Sequence, residues 1–211
     1  MIDQGTIKTA LREGLQALGI PKPEQYVPQF ACFIQTLHKW NQAYNLTAVR
    51  EADEMVAKHI LDSCAVRPSL DGREILDVGT GAGLPGIPLA LLEPDRRFTL
   101  LDSNGKKTRF LTQAIAELGL TNVEVVQSRV EEFAPACSYD SILCRAFTSI
   151  EQFVLHCEKF LQPAGRLIAM KGKLPEQELL AVPSGWQIEV AEVNVPGLAA
   201  ERRLIILKRD N

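Results

Sequence analysis

The sequence predicts a doubly wound α/β sheet, mostly parallel and ended by an antiparallel hairpin, behind an N-terminal helical cap. Three observations carry this. From Arg73 onward, apolar runs of strand length alternate with helical periods, which points to parallel strands joined by right-handed crossovers. The stretch Ile75 to Gly83, ILDVGTGAG, is an apolar strand running into a glycine turn and then a helix start at Leu84-Pro85. Near the end, Trp186 to Val195 and Arg203 to Leu207 are strands joined by the loop PGLAAE, with no helix between them. They are therefore expected as an antiparallel pair at the sheet edge.

Taken in order, Thr6 to Leu18 places Ile7, Leu11, Leu15 and Leu18 at helical spacing, and Gly19 and Pro21 stop it. A second helix, Glu24 to Tyr44, lines Val27, Phe30, Ile34, Leu37 and Asn41 along one stripe, flanked by Phe33, Trp40 and Tyr44. A third, Glu51 to Val66, completes a cap over residues 1–70, and residues 71–211 form a Rossmann-like domain packed with it as one compact unit. Strands are expected at Glu74 to Val78, Phe98 to Leu101, Val123 to Val126, Ser141 to Cys144 and Arg166 to Met170. Helices are expected at Pro85 to Leu92, Gly105 to Leu118 and Ile150 to Leu161, with a helical turn near Val130 to Phe133. Ser128, three residues before Glu131, fits an N-cap for that turn.

Composition narrows the class. A chain of 211 residues, 46% apolar, suffices for one sizeable domain, and 23 basic against 26 acidic residues give no global attraction for nucleic acid. The five cysteines are odd in number and contain no CxxC pair, which argues against zinc and a disulfide framework and for reduced thiols in the cytoplasm. No signal peptide is legible at the N-terminus, and no apolar stretch nears the roughly 20 residues that span a bilayer. His59 has no companions at metal-ligand spacing, so no metal is expected. A monomer is the default expectation.

The glycine turn fits two cofactors. Gly81, Gly83 and Gly86 match the GxGxxG dinucleotide fingerprint, with Asp102 at the right distance for a ribose. Gly79, Gly81 and Gly83 in DVGTGAG match the first motif of class I S-adenosylmethionine (SAM) methyltransferases. Asp77 favours the second reading, because a carboxylate beside the turn suits a sulfonium and an amino group and would repel a pyrophosphate. Its structural alternative is a loop-capping aspartate. The terminal hairpin also favours the methyltransferase variant, since dinucleotide-binding domains continue strand–helix–strand. Asp102 serves either cofactor. A nicotinamide oxidoreductase is the second reading, and a non-catalytic ribosome-assembly factor that binds SAM and RNA the third.

Longer stretches are more specific: HKWNQAYNLTAVR (His38 to Arg50), HILDS (His59 to Ser63), DVGTGAGLPGIPLA (Asp77 to Ala90), LLDSNGKKTRFL (Leu100 to Leu111), QSRVEEF (Gln127 to Phe133) and RAF (Arg145 to Phe147). In these the chain, from about Leu37 to Arg203, resembles the RsmG (GidB) family of bacterial small-subunit rRNA guanine-N7 methyltransferases. The resemblance implies a cytosolic enzyme that methylates N7 of one guanine in the decoding-region loop of 16S rRNA, with 16S rRNA or the small ribosomal subunit as partner. It carries cofactor contacts onto Gly79, Leu84, Val130, Glu131 and Arg145, with Asp102 in the ribose position. With Asp77, Gly81 and Gly83 these complete the expected cofactor site.

Guanine N7 already offers a lone pair on the major-groove edge and needs no general base. Catalysis is then mainly alignment of N7 with the methyl carbon and the departing sulfur. Arg145 and Lys171 are the expected catalytic residues, acting on O6 or a phosphate because a donor on N7 would block it. The alternative for Arg145 is an ion pair with Asp102 or Glu131. Glu131 and Glu132 are candidates to read N1–H and the exocyclic amine. Lys106, Lys107, Arg109, Arg129, Arg145, Lys171 and Lys173 are expected on one edge, with Arg202 and Arg203 near the hairpin, as the local charge that draws RNA. Trp40 and Tyr44 are expected in a structural role, the cap closing over the cofactor's edge.

Overall fold

The computed structural model describes residues 4–145 and 149–210; Ala146 and Phe147 of the RAF stretch lie outside the described residues. Two helices open the chain, α1 (Gln4–Ala17) and α2 (Val27–Tyr44). They bury the apolar stripes that their periodicity announces: Ile7, Leu11 and Leu15 on α1, and Phe30, Ile34 and Leu37 on α2. The third helical segment is not uniform. It runs as α3 (Ala52–Met55), a π-helical turn (Val56–Leu61) and α4 (Asp62–Cys64).

Among the described residues seven strands follow: β1 (Glu74–Val78), β2 (Arg97–Asp102), β3 (Val123–Gln127), β4 (Tyr139–Arg145), β5 (Leu161–Lys171), β6 (Trp186–Glu192) and β7 (Arg203–Arg209). They form one sheet in the order β3-β2-β1-β4-β5-β7-β6. β1 to β5 pair in parallel, and β7 pairs antiparallel with both β5 and β6, so the hairpin inserts its second strand next to β5. The helices are α5 (Gly86–Leu92), α6 (Gly105–Leu118), α7 (Ile150–Cys157) and α8 (Glu176–Leu180). Asn104 caps α6 by accepting from Lys106 N, a bond of a kind that contributes about 1 kcal/mol. Ser149 caps α7 in the same way through Gln152 N.

One face of the sheet carries α5 and α6, on which α1 and α2 pack as a further layer; a single apolar cluster joins Phe33 and Leu37 to Ile87, Phe110 and Leu111. The other face packs α7 against Leu76, Val78, Ile142 and Leu167. The chain reverses winding between β1 and β4. Their carboxyl ends flank the crevice in which open α/β sheets place ligands.

Several expectations need correction. Near Val130 to Phe133 the chain makes a single hydrogen-bonded turn, Glu132 N donating to the Arg129 carbonyl at 3.1 Å, which does not continue as a helix, and Ser128 does not cap it: its hydroxyl donates to the Arg129 carbonyl. The expected Ile150 to Leu161 helix ends at Cys157 and passes through a 3-10 turn (Glu158–Phe160) into β5, which starts at Leu161. α8 was not anticipated; five residues are too few for a 3.6-residue period to show.

Candidate active site

The site begins where β1 ends. Gly79, Gly81 and Gly83 have φ of 65°, 63° and 77°, in the left-handed region that strains any residue with a Cβ. The Gly79 and Thr80 amides donate to the Leu101 carbonyl at 2.8 and 3.1 Å, which ties the turn to β2. Beneath the turn Asp77 is fully buried; Thr80 Oγ1 and Gly86 N donate to its Oδ2 at 2.6 and 2.8 Å. Burial pushes its carboxyl up to about 6, against the two hydrogen bonds and the positive charge of Arg145. Asp77 thus braces the turn from inside, as the loop-capping reading describes. Among the described residues its Oδ1 has no hydrogen-bond partner.

Asp102 closes β2 with 6% of its surface exposed. Asn104 N donates to its Oδ1 and Gly81 N to its Oδ2, both at 2.9 Å, and Lys107 Nζ lies 3.6 Å from Oδ2. A cavity of about 430 Å³ opens here between Gly79, Asp102, Ser103, Lys107, Val130 and Glu131, within the range of ligand pockets. The structure therefore gathers Gly79, Asp102, Val130 and Glu131 around one cleft. A Cβ on Gly79 would meet nothing within 4 Å, so that space belongs to the cleft. Leu84 is buried behind it, its amide donating to the Thr80 carbonyl at 3.0 Å. A larger cavity, about 860 Å³, lies under the 128–138 loop beside Thr99, Val126 and Tyr139, away from the turn.

Arg145 ends β4, next to β1. Its ionic partner is neither Asp102 nor Glu131 but Asp62 on α4, with Nη1 3.7 Å from Asp62 Oδ2; Nη1 also donates to the Lys58 carbonyl at 3.4 Å. Arg202 Nε, from the loop before β7, donates to Asp62 Oδ1 at 2.7 Å. Lys171 ends β5 and pairs at 2.7 Å with Glu178 on α8, whose same oxygen accepts from Ile150 N at 2.9 Å. Glu131 is exposed, and His156 Nε2 lies 3.8 Å from its Oε1. Of the expected basic edge, Lys106, Arg109, Arg129 and Lys173 are exposed, whereas Lys107 and Arg203 face carboxylates. Among the described residues no group of three or more His, Cys, Asp and Glu could hold a metal ion, and no helix is long and apolar enough to cross a membrane.

Residues 26–206 match the model of the GidB family, described as rRNA small subunit methyltransferase G. The chain belongs to the GidB family. It is 48% identical over 200 residues to ribosomal RNA small subunit methyltransferase G of Marinobacter nauticus, covering 94% of each chain. It is 50% identical over 196 residues to the protein of the same name from Serratia proteamaculans, covering 92% of this chain and 95% of that one. Among solved structures, a precorrin-6y C5,15-methyltransferase from Geobacter metallireducens superposes with a TM-score of 0.57 at 18% identity, covering 80% of this chain and 93% of that one. A SAM-dependent methyltransferase from Aquifex aeolicus gives 0.55 at 20% identity, over 70% and 90% of the two chains. These likenesses place the GidB fold with the class I methyltransferases.

The cap motifs that suggested the GidB family prove to build the wall behind Arg145. Asn41 closes the 45–49 loop, its side chain donating to the Val49 carbonyl and accepting from Thr47 N. His59 lies between Thr47 Oγ1 at Nε2 and the Lys58 carbonyl at Nδ1. A carbonyl can only accept, so Nδ1 carries the proton and Nε2 takes the Thr47 hydroxyl. Burial and the neighbouring Arg145 push the imidazole down to about 4, and it is neutral. Trp40 meets Phe110 edge-on with centroids 5.8 Å apart, but Tyr44 is 44% exposed and is not core. Asp62 and Glu178 went unsingled in the sequence; only HILDS, which contains Asp62, held a signal for either.

Proposed function

We propose that this chain is a cytoplasmic, metal-free monomer that transfers the methyl group of SAM to N7 of a guanine in bacterial 16S rRNA. The observation that carries this is the end of β1 at the winding reversal: a cleft with Asp102 in its lining opens at the glycine turn, and Arg145 ends the adjoining strand β4. Relatives sharing nearly half their residues along almost the whole chain bear the name ribosomal RNA small subunit methyltransferase G, which supports the substrate class.

The residues present fit SAM. The space over Gly79 is open to a close ligand, and a buried unpartnered oxygen of Asp77 lies under a turn that would face positive charge. Asp102 spends one lone pair per oxygen on backbone amides and keeps capacity for ribose hydroxyls. Val130 and Glu131 would border the base. When bound, the cofactor supplies a methyl group activated by positive sulfur.

Everything else falls to positioning. The nucleophilic lone pair of N7 exists at neutral pH, so no side chain has to remove a proton. Arg145 and Lys171, both donors, serve by holding O6 or a phosphate while leaving N7 bare, which orients the ring for in-line attack. The exposed Lys106, Arg109, Arg129 and Lys173 supply the local charge that draws the backbone in.

The test is transfer of labelled methyl from SAM to 16S rRNA and to small subunits lacking the modification, followed by mapping of the modified base. Label on N7 of a single guanine is expected. Label on another atom, or none on either substrate, overturns the proposal.

A further inference from the structure

The acceptor side of the site is held by a residue that none of the reaction chemistry calls for. Asp62 lies in the helical cap, its side chain only 5% exposed, and carries two guanidinium groups on one carboxylate. Arg202 Nε sits 2.7 Å from Oδ1, and Arg145 Nη1 3.7 Å from Oδ2. The two arginines come from elements far apart in the chain, β4 and the loop between β6 and β7. Arg202 reaches the carboxyl end of β5, because a Cβ on Gly172 would lie 3.7 Å from its Nη1. Both cations therefore stand over the strand ends where the acceptor must enter.

The local backbone is built around this contact. The π-helical turn Val56–Leu61 immediately precedes Asp62, and such turns recur at functional positions because they re-aim the residues that follow. The same turn presents the Lys58 carbonyl to Arg145 Nη1. Gly197 in the β6–β7 loop comes close enough for a Cβ to lie 3.5 Å from Ala57, so the loop that bears Arg202 rests on the π-helical turn.

The charge count separates this from an ordinary buried ion pair. One carboxylate facing one guanidinium cancels it, whereas here Asp62 faces two, and the other carboxylate whose charge reaches Arg145, Asp77, lies beneath the glycine turn. The contacts that hold Arg145 all fall on Nη1, and those that hold Arg202 fall on Nε and Nη1. Among the described residues the Nη2 amino group of each is left for an outside oxygen. Two like charges this near repel, and the carboxylate between them offsets that repulsion.

We infer that Asp62 is a positioning residue for methyl transfer: it fixes Arg145 and Arg202 side by side as a two-guanidinium clamp for an oxygen-rich acceptor, a guanine O6 with a neighbouring phosphate. This rests on the proposed rRNA methyltransferase reading. It makes the N-terminal cap a working wall of the site and assigns Arg202 to the acceptor.

The experiment uses the full chain with unmodified 16S rRNA or small subunits. Asp62→Asn keeps size and removes charge; turnover is expected to fall about 10²-fold, the scale of an approximately 1 Å misplacement. SAM affinity by calorimetry is expected to stay within about twofold, since neither Asp62 nor the Arg145 side chain it holds lines the cleft at the glycine turn. Asp62→Glu is expected to restore part of the turnover. Arg202→Gln is expected to raise the KM for RNA and lower kcat, and Asp62→Asn with Arg202→Gln to be no worse than Asp62→Asn alone, because the two act as a unit.

Wild-type turnover in a folded Asp62→Asn overturns the inference. So does loss of SAM affinity in step with activity in both Asp62 variants, which marks a purely structural role. If Asp62→Asn fails to fold, Arg202→Gln decides: unchanged KM for RNA and unchanged kcat sink the clamp. Absence of transfer by the wild-type chain defeats the functional reading itself and the clamp with it, whereas an active wild type with indifferent variants defeats the clamp alone.

Discussion

Asp77 and His59 are buried, lie near the same arginine and are shifted in opposite directions. The Asp77 carboxyl is raised by burial from 3.8 to about 6, so between those values the folded chain holds a proton that the unfolded chain releases. Its contribution is fully present below the unfolded value and is lost as pH rises through about 6. The His59 imidazole is lowered by burial from 6.5 to about 4, so its contribution is present above 6.5 and is lost as pH falls through about 4. Each is on the order of 3 kcal/mol, and over the shared window the slopes oppose. Asp77→Asn removes one of them and leaves oxygen for Thr80 and Gly86. Its stability is then expected to fall more steeply with acid than wild type between about pH 6 and 4, read from urea melts at several pH values. Parallel curves for the two proteins contradict this. Arg145 sits between both groups, yet its removal leaves Asp62 bonded to Arg202. Arg145→Ala is therefore expected to fold while losing methyl transfer, and wild-type activity in that variant removes Arg145 from the acceptor side.

Among the elements, the glycine turn separates two kinds of glycine. Gly79 has a φ of 65° and open space beyond it, so Gly79→Ala strains the backbone by about 1–2 kcal/mol and pushes a methyl into the cleft. Gly86 opens α5 in ordinary helical geometry, but a Cβ there would strike the Leu100 side chain and lie 2.8 Å from Asp77 Oδ2. Gly79→Ala is expected to melt only a few degrees lower yet lose the stabilisation that saturating SAM gives. Gly86→Ala is expected to lose more stability, because overpacking and a disturbed Asp77 add together. Thermal melts with and without SAM check both, and equal melting points for the two variants count against the distinction. This turn was legible because its chemistry is local: three apolar strand residues, an aspartate and alternating glycines fall within the single run Ile75 to Gly83. The terminal hairpin was legible for the same reason. The acceptor side was not. Arg202 and Asp62 are 140 positions apart, and no local pattern distinguishes a carboxylate that meets two distant arginines from one that meets water. The 128–138 crossover misled because Ser128 and Glu131 have capping-box spacing without an apolar helical run behind them.

For the whole molecule, the exposed cations and the cap make separate demands. A net charge of −3 gives no long-range pull, so RNA binding has to fall on Lys106, Arg109, Arg129, Lys173 and the arginine pair. Affinity for 16S rRNA is expected to drop steeply with salt, with a slope that shrinks by about one unit when a phosphate-contacting lysine is replaced. A flat response argues against phosphate contacts.

The boundary near residue 70 divides the motifs but not the core. Phe33 lies 6.2 Å from Phe110 between ring centroids, and Thr36 Oγ1 donates to Glu117. Val66 and Leu70 share a cluster with Ile75 and Leu89. A chain cut to residues 71–211 would expose Ile87, Phe110 and Leu111, all fully buried in the intact protein. At about 1.5–3 kcal/mol for each such side chain, three losses consume much of the roughly 5–15 kcal/mol that holds a domain together. The cut also strips the Asp62 carboxylate from Arg145 and Arg202, leaving two guanidinium groups without their counter-charge. Residues 71–211 alone are therefore expected to give no cooperative thermal transition and to bind a hydrophobic dye, with SAM unable to restore the native signal. A sharp melt from that fragment, raised by SAM, would show that the sheet stands without its cap and that the cap serves only the acceptor side.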